Sequence, residues 1–150
     1  MDAPGRCFDE LSVGDVVSAG PRVISREDIA AFADLSGDRT ALHTDEAYAA
    51  STPLGGLVAH GALTLSAATG LAYESQAFEG TVLAFKGMDV SFERPVFPGD
   101  TVSLELTVEG LKAAPRGDRG TTDFAVRVLN QKGRRVLSGT WTLVLRTRGS

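Results

Sequence analysis

Asp38 and His43 stand five residues apart in Ser36-Gly37-Asp38-Arg39-Thr40-Ala41-Leu42-His43, and His43 is one of two histidines in the chain. On a continuous helix, side chains at that spacing point in different directions. Gly37 interrupts the helix expected before it, so the stretch reads as a loop, and a loop can turn both groups toward one point. A carboxylate and an imidazole, the side chain whose charge changes nearest neutral pH, can together hold a water and take its proton. Adding water across a polarised double bond needs those two groups, and so does removing it. The second histidine, His60, precedes Gly61 in LVAHGALTLSAATGLAY, residues 57–73. A helix start there would present free N–H groups and partial positive charge, with no Gly61 side chain to block an approaching carbonyl oxygen. One such preorganised donor is worth roughly 3 kcal/mol against charge developing on that oxygen.

Each of these residues also has a plainer role open to it. Asp38 could cap its own loop through backbone N–H groups, and His43 could be a half-buried core residue. His60 reads as structural, capping or orienting the helix. Gly61 could serve close packing of helix on sheet. Ser66 and Thr69 could bond back to helix carbonyls, as buried hydroxyls commonly do.

The elements that must position these groups can be read from pattern. Leu11 to Val17 reads as a turn feeding a short strand. Ser25 with Asp28 forms a capping-box start, and Ile29, Phe32 and Ala33 share one helical face, which ends at Ser36-Gly37. A short helix over 44–50 is expected with Thr44 as its cap and acids in its first turn. Residues 57–73 are apolar or small on every side, which predicts a central helix surrounded by other structure. The rest supplies a sheet: 81–85 running into 88–92, the turn Pro95-Val96-Phe97-Pro98-Gly99-Asp100, then 101–108 with period two, 122–130 and 135–145. Asn130-Gln131-Lys132-Gly133 suits a hairpin turn. Phe85, Phe92 and Phe97 are expected in the core. Strand, helices and then an antiparallel run make an α+β domain in which a curved sheet wraps a buried helix.

The totals set bounds. A chain of 150 residues fits one domain spanning 1–150, with 1–7 and 147–150 expected as loose tails. A net charge of −4, with one short basic run at Lys132-Gly133-Arg134-Arg135, speaks against nucleic acid as a partner. The central apolar segment is short for a membrane span and carries His60, Thr64, Ser66 and Thr69. One cysteine, Cys7, and no signal-like N-terminus point to a reducing, cytoplasmic setting. Two histidines and scattered acids show no metal-ligand spacing, and the glycines match neither phosphate-binding pattern, so no metal or nucleotide cofactor is expected.

Between Phe32 and Leu71 the chain resembles the MaoC-like (R)-specific enoyl-CoA hydratase family, the hydratase 2 group. The residues that carry the resemblance are Phe32, then SGDRTALHTDEAYAAS, then AHGALTLSAATGL, with Phe92-Glu93-Arg94-Pro95-Val96-Phe97-Pro98-Gly99-Asp100 matching a later F-x-x-P-V-x-x-G-D turn. The likeness covers roughly residues 8 to 145. It departs at Thr40-Ala41, where the family has Asn-Pro: a hydroxyl is kept and the amide and the proline ring are lost.

The resemblance implies a hot dog fold, a homodimer and a hydro-lyase acting on 2-enoyl and (R)-3-hydroxyacyl thioesters. Coenzyme A or an acyl carrier protein would hold the acyl group. It implies that Asp38 and His43 activate water and that Gly61 donates its N–H to the thioester carbonyl. It gives supporting places to Thr69 or its neighbour Ser66, to Thr40 and to His60. Three other functions share this frame. A specialised dehydratase on a carrier-bound intermediate would use the same groups. A thioesterase usually places a carboxylate on the central helix, and residues 57–71 have none. A binding protein for acyl thioesters would have no need of both Asp38 and His43.

Overall fold

The computed structural model describes residues 4–150. The elements run β1 (Val16–Val23), α1 (Arg26–Ser36), α2 (Ala41–Thr44), α3 (Glu46–Ser51), α4 (Gly61–Glu74), β2 (Val82–Phe92), β3 (Thr101–Ala113), β4 (Arg119–Asn130) and β5 (Arg135–Arg146), after a single 3₁₀ turn at Phe8–Glu10. The five strands form one antiparallel sheet in the order β1-β3-β4-β5-β2. This is the α+β architecture expected from the sequence.

Local chemistry explains most boundaries. The Ser25 hydroxyl accepts from the Asp28 N–H at 3.0 Å and the Asp28 carboxylate accepts from the Ser25 N–H at 2.9 Å, closing the capping box. α1 stops at Gly37, whose φ of 78° is the left-handed conformation that a glycine accepts without strain. Along β3, Val102, Leu104, Leu106 and Val108 are buried while their neighbours are half-exposed, the period of a strand with one face on a core. Phe124, Val126, Val128, Leu137, Trp141 and Leu145 continue that face across β4 and β5.

Several expectations need correcting. The short helix begins at Glu46 and is capped by Asp45, which accepts from the Tyr48 N–H at 3.0 Å; Thr44 belongs to α2 and bonds the carbonyls of Arg39 and Thr40. Residues 57–60 lie outside the helix, which begins at Gly61; Val58 N–H donates to Leu42 O and Ala59 N–H to Val96 O. β1 runs on to Val23 past an irregularity between Ala19 and Arg22. The segment 4–7, expected to be loose, is tied down by Gly5 N–H to Glu79 O and Arg6 N–H to Ala77 O, with Cys7 fully buried; Arg148 near the other end bonds Glu10 and Gly5. Residues 1–3 lie outside the described residues.

The largest difference concerns α4. Leu63, Thr64, Ala67, Ala68 and Leu71 are buried against β1 and β3. Ala62, Ser66, Thr69 and Tyr73 form an exposed stripe along the other side. The sheet matches this gap. β2 is an edge strand, and Val82, Phe85, Met88 and Phe92 pair with Leu145, Leu143, Trp141 and Leu137, whose side chains are buried. Cross-strand partners share a face, so these four residues point inward. Yet each is between 41% and 55% exposed, because α4 covers only the β1–β3 half of the sheet. Phe85 and Phe92 are therefore part-covered rather than core.

Candidate active site

The loop after α1 is built around its own side chains. Ser36 Oγ accepts from the Asp38 N–H at 3.1 Å, and Asp38 Oδ1 accepts from both the Thr40 N–H at 3.1 Å and the Thr40 hydroxyl at 2.6 Å. Asp38 itself is exposed, and its second oxygen carries no bond within the described chain. The Thr40 hydroxyl, and after it the Thr40 N–H, hold the Asp38 carboxyl below the usual carboxylate range. Thr40 thus does to the carboxylate what a side-chain amide could do, with a shorter reach.

His43 lies one turn further, in α2. Its Nδ1 is 2.8 Å from Val58 O. A carbonyl only accepts, so the proton sits on Nδ1 and Nε2 is left as the lone-pair nitrogen. His60 is 2% exposed and its Nε2 is 2.9 Å from the backbone oxygen of Asp38, which fixes the proton on Nε2 by the same reasoning. Its Nδ1 is buried with no hydrogen-bond partner. The two imidazoles stack at 3.8 Å between centroids and 24° between planes, and the edge of Phe32 closes on His60 at 4.9 Å. His60 is the residue at the N-cap of α4, but its side chain makes no capping bond. It joins the Asp38 loop to the helix start.

Asp38, His43 and His60 bring their ligating atoms within 4.8 Å of one another. Two of the four imidazole nitrogens are already committed to carbonyls and His60 Nδ1 is buried, so the cluster presents at most two nitrogens, His43 Nε2 foremost, and a carboxylate oxygen to an incoming group. That is short of the closed four-ligand shell of a structural zinc. The pair is suited to a water held between an acceptor nitrogen and a carboxylate.

Gly61 opens α4. The N–H groups of Leu63 and Thr64 bond His60 O, while those of Gly61 and Ala62 have no partner among the described residues. A cleft of about 250 Å³ reaches this helix start, lined by Val58, Gly61, Thr64, Phe92, Arg94 and Val136 among others. The structure therefore brings Asp38, Thr40, His43, His60 and Gly61 to one end of the helix. It does not join Ser66 or Thr69 to Asp38: Ser66 Oγ donates to Ala62 O at 2.8 Å and Thr69 Oγ1 to Ser66 O at 2.7 Å. Thr69 instead lines a second cavity of about 320 Å³ along the open seam between α4 and β2, with Phe85, Leu106, Trp141 and Leu143.

Sequence reasoning missed Val58, whose carbonyl sets the His43 tautomer, because a backbone acceptor has no residue-type signal. It also missed the stacking of the two histidines; Phe32 and His60 were both noticed, but not as neighbours.

The profile of the MaoC like domain matches residues 10–129. The chain belongs to that family. It is 34% identical over 129 residues to an (R)-specific enoyl-CoA hydratase of Aeromonas caviae, covering 86% of this chain and 91% of that one. It is 32% identical over 116 residues to a 3-hydroxyacyl-thioester dehydratase Z of Mycobacterium tuberculosis, covering 71% and 77%. Among solved structures it superposes, with a TM-score of 0.81 and 25% identity, on a conserved hypothetical protein of Mycobacterium tuberculosis described as having a double hotdog fold; 98% of this chain covers 46% of that one. The fold of this MaoC-like chain is accordingly the hot dog.

Proposed function

We propose that this MaoC-like chain is a hydro-lyase that interconverts trans-2-enoyl thioesters and (R)-3-hydroxyacyl thioesters. The observation that carries the reading is the convergence of an Asp38 oxygen, the lone-pair Nε2 of His43 and the open N–H of Gly61 at one helix end. The relatives named as enoyl-CoA hydratase and hydroxyacyl-thioester dehydratase support it.

In the hydration direction, the thioester carbonyl accepts from the Gly61 N–H. Water sits between His43 Nε2 and Asp38. One water O–H breaks, its proton passing to the His43–Asp38 pair, as the oxygen bonds to C3, the C2=C3 electron pair moves to C2 and charge builds on the thioester oxygen. The helix N-terminus stabilises that charge. A proton returns to C2 and the carbonyl re-forms, so the elements of water are added and nothing else is consumed. Dehydration runs the same steps backward. Thr40 holds Asp38 ionised, and His60 stacks on His43 and fixes the loop by its bond to Asp38 O. Thr69 and Ser66 flank the helix beyond, at the seam where an acyl chain can lie.

The working unit in this reading is a homodimer. Among the described residues β2 leaves one edge without hydrogen-bond partners, and its inward face is half-exposed beside the bare stripe of α4. A second copy would cover both, and the double hotdog relative carries about twice this chain's length. Among the described residues no helix is long and apolar enough to cross a membrane. With a single buried cysteine, that fits an enzyme of the cytoplasm.

The test follows loss of the conjugated enoyl-thioester absorbance with crotonyl-CoA and a longer 2-enoyl-CoA, with the product's stereochemistry resolved. Turnover to the (R)-3-hydroxy product is expected, falling by about 10² or more in Asp38→Asn and in His43→Ala. Release of free thiol without hydration would replace the reading with a thioesterase.

A further inference from the structure

The basic run in the β4–β5 turn has no part in the chemistry above. Lys132, Arg134 and Arg135 are all exposed. The segment after β2 lies against the end of this run: the Arg94 guanidinium donates to Arg135 O at 2.8 Å, and Glu93 and Arg94 both donate backbone N–H to Val136 O. Four cations are thus gathered on two adjoining turns. One carboxylate, Glu93, pairs with Arg135 at 3.2 Å and also accepts from Ser138. Asp100 is also near, but its two oxygens are taken by the Gln131 amide and the Phe97 N–H. Among the described residues Arg94, Lys132 and Arg134 form no ion pair. On a chain of net charge −4 this is a local reversal of sign.

Its position gives it meaning. The cleft that reaches Gly61 is lined at its other side by Glu93, Arg94 and Val136. Arg134 is two residues before Val136, just outside β5 and about 7 Å away along the backbone. A thioester whose carbonyl rests on Gly61 must send its carrier arm out of that cleft, whose wall carries Arg94 and whose Val136 leads back along the chain to the turn bearing Arg134 and Lys132. Arginine's fork and lysine's point charge are the side chains that hold phosphate oxygens.

We infer that Arg94, Lys132 and Arg134 form a phosphate-binding rim that grips the nucleotide end of a coenzyme A thioester. The inference rests on the hydro-lyase reading for the direction in which the arm leaves, and it names coenzyme A as the carrier. The nucleotide end of coenzyme A bears a diphosphate and a 3′-phosphate. A polyanion of that kind would be repelled by the acidic remainder of the surface and drawn to this edge.

The experiment compares crotonyl-CoA, crotonyl-pantetheine, which lacks every phosphate, and crotonyl-loaded acyl carrier protein. It uses the wild type, Arg134→Ala and Lys132→Ala/Arg134→Ala. These side chains are exposed and make no bonds to the rest of the chain, so folding is not at risk. The ratio of kcat/KM on the coenzyme A thioester to that on the pantetheine thioester is expected to fall about tenfold in the double variant, through KM. The wild-type ratio itself should shrink as salt rises from 50 to 200 mM.

Binding of coenzyme A itself, by calorimetry, is read alongside and does not depend on turnover. If no thioester is hydrated but coenzyme A binding weakens about tenfold in the double variant, the hydro-lyase reading fails and the rim stands. An unchanged ratio with unchanged coenzyme A binding overturns the rim. A loss confined to the carrier-protein substrate overturns it in favour of a protein carrier.

Discussion

Gly61→Ala separates what the helix start does for the fold from what it does for the reaction. A Cβ built on Gly61 would lie 2.8 Å from Cε1 of Phe92, 3.0 Å from Cδ1 and 3.1 Å from Cζ. Ordinary contact begins at 3.4 Å, so the ring must withdraw by about 0.6 Å. Phe92 ends the edge strand and is 55% exposed, so it has room to turn away. Against that small cost, alanine at the first position of a helix is favoured over glycine by up to about 1 kcal/mol. The melting temperature is therefore expected to change by no more than a few degrees, in either direction. The new methyl, however, projects into the cleft beside the open N–H. A thioester carbonyl would lose its close approach to that donor, and one donor aimed at developing charge is worth about 3 kcal/mol. A fall of roughly 10² in kcat/KM is expected, with kcat falling most. The assay is the enoyl-thioester absorbance run beside thermal denaturation. Gly61→Ala/Phe92→Ala gives the methyl its space and should not recover activity. Full activity in a stable Gly61→Ala would refute the placing of the carbonyl at this helix end. Recovery in the double variant would show that the ring, and not the donor, had been disturbed.

Two more outcomes follow from the same geometry. Thr40→Val removes the hydroxyl that most lowers the Asp38 carboxyl pKa, so the acid limb of kcat/KM should move to higher pH, while Thr40→Ser keeps it in place. A depressed folded-state pKa stabilises the fold above the ordinary aspartate value of about 3.9 and is lost as pH falls through the folded value. Thr40→Val should thus be less stable than wild type at pH 7 and equal to it in strong acid, which denaturant midpoints at both pH values will read; a difference that persists in acid would assign it to packing. Met88→Lys places a cation opposite Trp141 on the inward face of β2, where Met88 is 45% exposed in one chain. A lone chain would tolerate it within about 0.5 kcal/mol, whereas a dimer closing over β2 would have to bury the charge and should dissociate. Light scattering decides this, and a wild type that is monomeric at micromolar concentration sinks the dimer.

What could be read in the sequence was what residue type and period encode. Ser25 and Asp28 announced the α1 cap, Gly37 its end, and the alternation of Val102, Leu104, Leu106 and Val108 the face of β3. Asp38, His43 and Gly61 stood out because a carboxylate and an imidazole share one loop and a glycine opens the small-residue helix. What stayed hidden depends on surroundings that a linear pattern does not carry. An all-apolar helix reads as fully buried whether its cover comes from the same chain or another, so the bare stripe through Ser66, Thr69 and Tyr73 had no signal. Phe85 and Phe92 read as core for the same reason. Ser66 and Thr69 have the residue type for a site, but their hydroxyls answer nearer helix carbonyls.

The turn Pro95-Val96-Phe97-Pro98-Gly99-Asp100 shows how far positioning extends beyond the reacting groups. Asp100 accepts from the Phe97 N–H at 2.9 Å, and Gly99 takes a φ of 91°, so the turn is closed on itself. Val96 is buried, and its carbonyl accepts the Ala59 N–H at 2.8 Å. On the residue before, Val58 donates its N–H to Leu42 O and accepts the His43 imidazole N–H. The strip 58–61 is therefore clamped from one side by the turn and from the other by α2. His43 takes its tautomer from the same two residues of backbone that deliver His60 and Gly61 to the helix start. His43 and Gly61 cannot shift independently while that strip holds, which suits the proposed reaction, because the separation between the attacked carbon and its carbonyl oxygen in an enoyl thioester is just as fixed. A turn more than thirty residues downstream of Gly61 thus helps to hold the spacing between His43 and the start of α4.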